Sequence, residues 1–250
     1  MTDKSKRQQD IIKLEKKRQF INGRLDQQRQ RFNERFDRKQ AELNGVLNRK
    51  QENIVASALV LLDQEGLNSL SLRKLANKLN MQAPAIYWHF KNKENLIDYM
   101  AEAILKKQFA DLKPSQASEI WQDWLISIMQ KLREAMLSYT DGAKVVAGAH
   151  LYPTVTLGKI IDISMQSLTQ TGMDLLDARQ IVMTAMHYVF GHVIEEQSSP
   201  SLEELDGLEL EGMQEEYPTI SAAIEALKKA KFTEDDDFNV GIQLIINSYK

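Results

Sequence analysis

The sequence predicts an all-α chain in three parts: a long basic helix or helical hairpin over residues 1–47, a three-helix unit with a helix-turn-helix over 48–95, and a larger helical domain over 96–250. Three observations carry this reading. Apolar residues recur at three- and four-residue intervals through most of the chain, and no segment alternates convincingly at the two-residue period of a strand. Caps and breakers, among them Gly66, Ser71, Asn92 and Pro114, cut that pattern into helix-sized pieces. Between Ser71 and Asn92 the pieces are short and joined by a turn, which is the spacing of a helix-turn-helix.

The first part holds Ile11, Leu14, Ile21, Leu25 and Phe32 on an interrupted heptad whose missing steps are Arg18 and Gln28. Phe36, Leu43 and Val46 continue it with a shifted phase, and Asn22-Gly23 offers a break. Two layouts are open: one arm of about 60 Å, at about 1.5 Å per residue, or a coiled-coil hairpin of half that length. A solvated, partly disordered basic tail is the plain alternative, against which the rings Phe20, Phe32 and Phe36 argue for a buried seam. In the next helix Ile54, Ala58, Leu61 and Leu62 share a stripe, and Gly66 stands as its C′ residue. Ser71 caps a short helix with Leu72, Leu75 and Leu79 inward. Pro84 falls in the first turn of the following one, about 82–88, where a missing N–H costs least. Asn92 caps a long helix stopped by Pro114. Helices are expected near 116–139, 142–149, 154–171, 174–197, 217–230 and 234–248, with a mobile acidic loop over 198–216.

Composition narrows the function. The 250 residues include no cysteine, which excludes disulfides and thiolate metal sites. The charged N-terminus carries no signal-peptide core and no apolar run approaches a membrane span, so a cytoplasmic protein with no membrane partner is expected. The net charge of −3 hides a balance of +8 over residues 1–50, zero over 51–112 and −11 over 113–250. A basic front and an acidic rear suit a polyanionic partner met from one end. Catalysis has no constellation to use: there is no G-x-S-x-G elbow, and only four histidines. His187 and His192 lie five apart, off the spacing that sets two metal ligands on one helical face; His192 with Glu195 or Glu196 fits it, but an interface or solvated pair is the better reading. The chain is therefore expected to be no enzyme and to carry no cofactor and no metal.

At "LNSLSLRKLANKLNMQAPAIYWHFKNKENLIDYMAEAIL" the sequence resembles the tetracycline-repressor family of bacterial transcription regulators. The segments "YTDGAKVVAGAH", "SLTQTGMDLLDARQI" and "HYVFGHVIEEQ" are similar to the regulatory domain of its tetracycline-responsive branch. The likeness covers about residues 48–250 and leaves out 1–47. It implies a homodimer that holds a palindromic double-stranded operator through two recognition helices and releases it when a small molecule enters the C-terminal domain. The implied DNA-facing set is Ser71, Arg73, Gln82, Ala83, Pro84, Ala85, Tyr87, His89 and Lys93. Arg73 matches a residue that reaches a guanine edge, Lys93 a phosphate contact, and Pro84 can meet a thymine methyl. Ala83 and Ala85 stand where the tetracycline-responsive members have glutamine and threonine, and Leu72 replaces another threonine, so the operator sequence does not carry over; Gln82 or Asn80 is left as a polar reader. Either Ile86 or Trp88 is expected in the core, with Tyr87 and His89 toward phosphate. Arg31, Arg35, Arg38 and Lys39 extend the phosphate-facing set into the basic arm, which is also expected to pair with another helix.

The regulatory domain departs further. The family's magnesium-liganding histidine is here Val146, a histidine and an asparagine that hold the drug's polar edge fall at Phe109 and Ile128, and an arginine falls at His150; Glu195 alone matches a water-mediated metal contact. A magnesium–tetracycline chelate is therefore not expected as the effector. The expected pocket takes a flatter, rather apolar molecule among Phe109, Trp124, Ile128, Leu132, Val146, His150, Met183, Met186, His187, Phe190 and Glu195. The helices near 174–197 and 234–248 are expected to form a four-helix bundle with a second copy. An architectural protein whose coiled arms assemble dimers on DNA without ligand control is the alternative.

Overall fold

Gly66, at φ 74°, turns the chain where no side chain is comfortable and so ends the regular helical course of the first long helix of the globular body. The structure, a computed structural model, describes residues 24–25, 27–35, 49–116, 118–199 and 211–249. Its elements are α1 (27–35), α2 (Arg49–Ser69), α3 (Leu72–Lys78), α4 (Ala83–His89), α5 (Lys93–Phe109), α6 (Trp121–Leu137), α7 (Gly142–Ala147), α8 (Val155–Gln170), α9 (Leu175–Glu196), α10 (Glu211–Glu216), α11 (Pro218–Ala230) and α12 (Glu234–Asn247). No strand occurs among the described residues, and none of their helices is long and apolar enough to cross a membrane.

The chain divides into two units, Met1–Lys50 and Gln51–Lys250. In the first, α1 is helical and Gln30 Nε2 donates to Glu34 Oε1 at 3.1 Å, one turn on. Phe32, expected in a seam, is 54% exposed, and Arg31 and Arg35 are exposed. Phe20, Phe36, Arg38 and Lys39 lie outside the described residues.

In the second unit the expected caps are in place. Ser71 Oγ accepts the Lys74 N–H at 3.2 Å and Asn92 Oδ1 the Asn95 N–H at 2.9 Å, each meeting an orphan donor of a first helical turn. The α3–α4 turn is a Schellman closure around Asn80 at φ 50°: Met81 N–H reaches Ala76 O at 2.9 Å and Asn80 N–H reaches Asn77 O at 3.1 Å. Asn tolerates that left-handed position better than most residues. Two expectations give way. Residues 116 and 118–120 are not helical: the Glu119 carboxylate folds back onto the Gln116 N–H at 2.6 Å and α6 starts only at Trp121. Within the acidic 198–216 loop, α10 forms a short turn of helix before Pro218 opens α11.

One apolar cluster runs from Ile54 and Leu62 through Ile86, Phe90 and Met100 to Val189 and Phe238. Helix α5 is its spine, packing on α6, α7 and α8. Across the far side, Arg133 ties three helices. Its Nε and Nη2 form a fork with Glu196 of α9 at 2.9 and 2.7 Å, Nη1 donates to Asp235 of α12 at 2.6 Å, and the guanidinium stands 5.1 Å from the centre of the Phe238 ring. Burial opposes the charge, and the bonds to Glu196 and Asp235 outweigh it, so Arg133 is held above its usual value. Removing only the guanidinium leaves Glu196, whose side chain is 14% exposed, without its partner. Arg133→Ala is therefore expected to cost about 3–5 kcal/mol in urea unfolding at fixed protein concentration, with much of it recovered in R133M/E196L. A loss below about 1 kcal/mol would show that the fork contributes as little as an exposed pair.

Candidate functional site

The helix-turn-helix is assembled by the face α4 buries. Ala83, Ile86 and Phe90 share one side at helical spacing; Ile86 and Phe90 are fully buried, and the Phe90 ring meets Tyr99 of α5 edge-on at 5.4 Å. The opposite side is left to solvent. Gln82, which makes no capping bond with its side chain, and Pro84 are exposed, Tyr87 is 48% exposed and Trp88 83%. Of the two apolar candidates for the core it is thus Ile86 that enters, and Trp88 joins Tyr87 outside, standing edge-on to His89 at 5.1 Å. Ala85 and His89 are half-buried; the His89 carbonyl accepts from Gln51 Nε2 at 3.5 Å. Arg73 is exposed on α3, and Ser71 just before it is exposed and engaged as the cap. The neighbouring lysines are held within the module: Lys74 pairs with Glu65, and Lys78 Nζ donates to Gln64 at 2.7 Å. Lys93 is half-buried and its Nζ donates to the Leu67 carbonyl at 2.8 Å, closing the end of α2.

Polar contacts, half-buried at Asp141 and exposed at Thr140, join this module to the helices behind it. Asp141 accepts the Leu67 N–H at 2.8 Å and the Lys144 ammonium at 2.7 Å; those bonds, Lys144 first, hold its carboxyl below the usual range. Thr140 donates to Asp63 through N–H and hydroxyl, at 3.0 and 3.2 Å. Gly142 is required at the start of α7, since a Cβ there would lie 2.1 Å from Met136 O. Along α5, buried Asp98 accepts the His150 N–H at 2.8 Å with Nδ1 at 3.1 Å, and one turn on Glu102 accepts the Thr156 N–H and hydroxyl at 2.7 and 2.8 Å. Of these groups the sequence singles out only His150, as an expected pocket residue. The trace available there is that Asp98 and Glu102, four apart, interrupt the apolar side of a helix.

The expected pocket residues do not all meet. Phe109, Trp124 and Ile128 line a cleft of about 440 Å³ between the end of α5, the 110–120 segment and the first half of α6. Leu132, Val146 and Met186 are buried in the common core, while Met183 and Phe190 are half-buried against helical neighbours. His150, His187 and Glu195 are exposed, and the Glu195 carbonyl accepts from Ser198 and Ser199 at 2.9 and 2.8 Å. His192 lies 3.9 Å from both Glu196 and Asp237, and no cluster of three metal-ligating side chains occurs among the described residues. The surface lining this cleft is mostly polar, with Lys107, Lys113 and Lys131 at its rim.

An outward-facing second helix of a helix-turn-helix, mounted on a helical domain, defines a DNA-binding regulator. Residues 54–100 match the family model for bacterial regulatory proteins of the tetR family, and residues 113–248 match the tetracyclin repressor-like C-terminal domain. The chain belongs to the tetracycline-repressor family. It is 34% identical over 197 residues to the class A tetracycline repressor protein of transposon 1721 from Escherichia coli, covering 78% of this chain and 87% of that one. Among solved structures, a Q116A tetracycline repressor of Acinetobacter baumannii in complex with minocycline superposes with a TM-score of 0.63 at 31% identity, over 79% of this chain and 92% of that one. BioQ with its natural double-stranded DNA operator superposes with a TM-score of 0.52 at 30% identity, over 59% and 87% of the two chains.

The α5–α8 contact has a pH signature. Burial pushes the Glu102 carboxyl above its ordinary 4.5, against the Thr156 bonds and the pull of Lys106 and Lys159. The folded state then keeps this proton at pH values where the unfolded chain has lost it. Stability accordingly falls as pH rises from about 4.5 through the raised folded value. Glu102→Gln retains an acceptor for Thr156 without the titration, so the variant should lose that slope and melt no lower than the parent at pH 7. An unchanged slope in a series of melts from pH 4.5 upward would remove burial of Glu102 as its source.

Proposed function

We propose that the chain is a homodimeric repressor that binds a palindromic operator through paired α4 helices and is released when a small molecule enters the domain behind α5. The observation that carries this is the division of α4: Ile86 and Phe90 anchor it, while Gln82, Pro84, Tyr87 and Trp88 stand out beside Arg73. In this reading 48–95 is the DNA-binding domain and 96–250 the ligand-binding and dimerisation domain. Support for a second copy comes from the solvent sides of α9 and α12. Leu176 is 74% exposed, and Val240 and Leu244, one turn apart, are 48% and 69% exposed, an apolar face of the kind a helical bundle covers. With Val146 and Phe109 at the positions where the family binds magnesium and the drug, the effector is not a magnesium–tetracycline chelate. The BioQ complex supports double-stranded DNA as the partner.

Both proposals are open to measurement. Arg73→Ala should weaken binding to the operator, found by footprinting DNA beside the coding sequence, by about 10- to 100-fold, the equivalent of about 1–3 kcal/mol for a lost guanine contact. An equal loss on unrelated DNA would reduce Arg73 to a phosphate contact. Leu244→Glu should convert the dimer to monomer in sedimentation equilibrium; a parent that is already monomeric defeats the dimer.

The basic arm supports one addition. The family match begins at residue 54, so the arm, residues 1–47, is an extension leading into α2. We propose that it contributes phosphate contacts through Arg31, Arg35, Arg38 and Lys39 while pairing with another helix. Deleting residues 1–45 should lower operator affinity and flatten the dependence of log K on log salt, because that slope scales with phosphates neutralised. Equal slopes for the two chains would exclude the contacts. Extended cooperative coverage of DNA in place of a discrete footprint would favour the architectural reading instead.

A further inference from the structure

The cleft at the end of α5 is built of unlike parts. Phe109 and Ile128, buried at 5% and 4% exposure, lie at its base with the half-buried Trp124 ring at the side, and the surface it offers is mostly polar. Lys107, Lys113 and Lys131, one each from α5, the 110–120 segment and α6, supply its positive rim. None of the three has a hydrogen bond or ion pair among the described residues, whereas Lys74, Lys78, Lys93 and Lys144 in the same unit are all engaged. Two carboxylates share the lining, Asp111 and Glu119, and Glu119 is held by the Gln116 N–H. The C-terminal end of α5 also lies here, and its dipole works against an anion, so the three ammonium groups must outweigh it. A flat ring beside buried Phe109 and Ile128, set in an otherwise mostly polar and charged lining with about 440 Å³ of space, suits a compact amphipathic ligand.

We propose that this cleft binds a planar aromatic organic anion, a carboxylate or sulfonate on one or two fused rings, with the rings against Trp124 and Ile128 and the charge among Lys107, Lys113 and Lys131. The inference rests on the reading of 96–250 as an effector domain and gives the effector a chemical class. It departs from the rather apolar molecule that the sequence suggested, because the lysines of the rim were not visible as a group in the sequence. They come from three separate segments.

The test uses the full chain and two probes that share a ring system: 1-anilinonaphthalene-8-sulfonate, and N-phenyl-1-naphthylamine, which lacks the sulfonate. Fluorescence titration should give one sulfonate site per chain. The triple variant K107Q/K113Q/K131Q, made at solvent-facing positions and checked for an unchanged melt, should weaken sulfonate binding at least tenfold and leave the naphthylamine unaffected. Trp124→Leu should weaken both. Sulfonate binding that is the same in parent and triple variant overturns the proposal. Anisotropy of labelled operator, read in parallel, separates the two layers. Lysine-dependent sulfonate binding with unchanged DNA affinity keeps the ligand class and removes the effector role, whereas DNA release by the neutral naphthylamine alone keeps the effector role and removes the class.

Discussion

The backbone N–H and carbonyl of Leu67 are each met by a side chain from outside its helix: the N–H by Asp141 at the start of α7 and the carbonyl by Lys93 at the start of α5, beside the Leu70 N–H. Gly66, in its left-handed turn, places that peptide there, and a Cβ on Gly66 would approach Asp141 Oδ2 to 3.0 Å. Helix α2 carries the core of the DNA-facing module, α5 leaves it, and α7 belongs to the domain behind. The orientation of α3 and α4 relative to that domain is therefore fixed in part at Leu67 and the two charged groups around it, together with the Thr140–Asp63 bonds and the shared apolar core. Half-buried, each bond at Leu67 is costly to leave unmade, because the exposed partner would need water that the junction does not admit freely.

From this junction α5 runs back with two buried or half-buried carboxylates on its length. Asp98 meets the backbone and ring of His150, Glu102 meets Thr156, and both receivers lie around the α7–α8 connection. A rigid helix fixed at its head to α2 and along its length to that connection transmits a displacement as a rotation of its whole body. Under the proposed function the effector acts only through a difference in affinity between the operator-bound and released arrangements. The cleft lies at the tail of the same helix, where Phe109 belongs both to its floor and to the core. Ligand and DNA would thus bear on opposite ends of one element.

What the sequence made legible was local. Gly66, Ser71, Asn92 and Pro84 are each decided by backbone geometry within a few residues, so caps and turns could be placed before any packing was known. The α4 division was half legible: spacing separated Ile86 from Tyr87, but whether Trp88 lay in or out depended on which of Ile86 and Trp88, two residues apart, entered the core, and Phe90 took the neighbouring space. The Arg133 fork was not legible, because its partners sit 63 and 102 residues away and no helical period relates them. The same holds for the lysines of the cleft. The break ahead of Trp121 escaped because a Glu three residues after Gln116 reads as an ordinary helical start, yet here the carboxylate closes an isolated turn.

The alanines of the recognition helix bear on what the rest of the chain must supply. Bidentate side-chain contacts to bases discriminate by about 1–3 kcal/mol each, and Ala83 and Ala85 can offer only apolar contact. Direct readout from α4 is then limited to Gln82, to the apolar faces of Pro84, Tyr87 and Trp88, and to Arg73 from α3. Affinity lost at base edges can be restored by phosphate contacts, since these fix position without reading sequence. A basic arm with a balance of +6 ahead of α2 is suited to that task. Such compensation raises binding to every sequence alike, so it cannot restore the lost discrimination. Under the proposed function, specificity would then depend more heavily on the spacing imposed by the proposed dimer, which would place a geometric demand on the α9–α12 face that a longer list of base contacts would have relaxed.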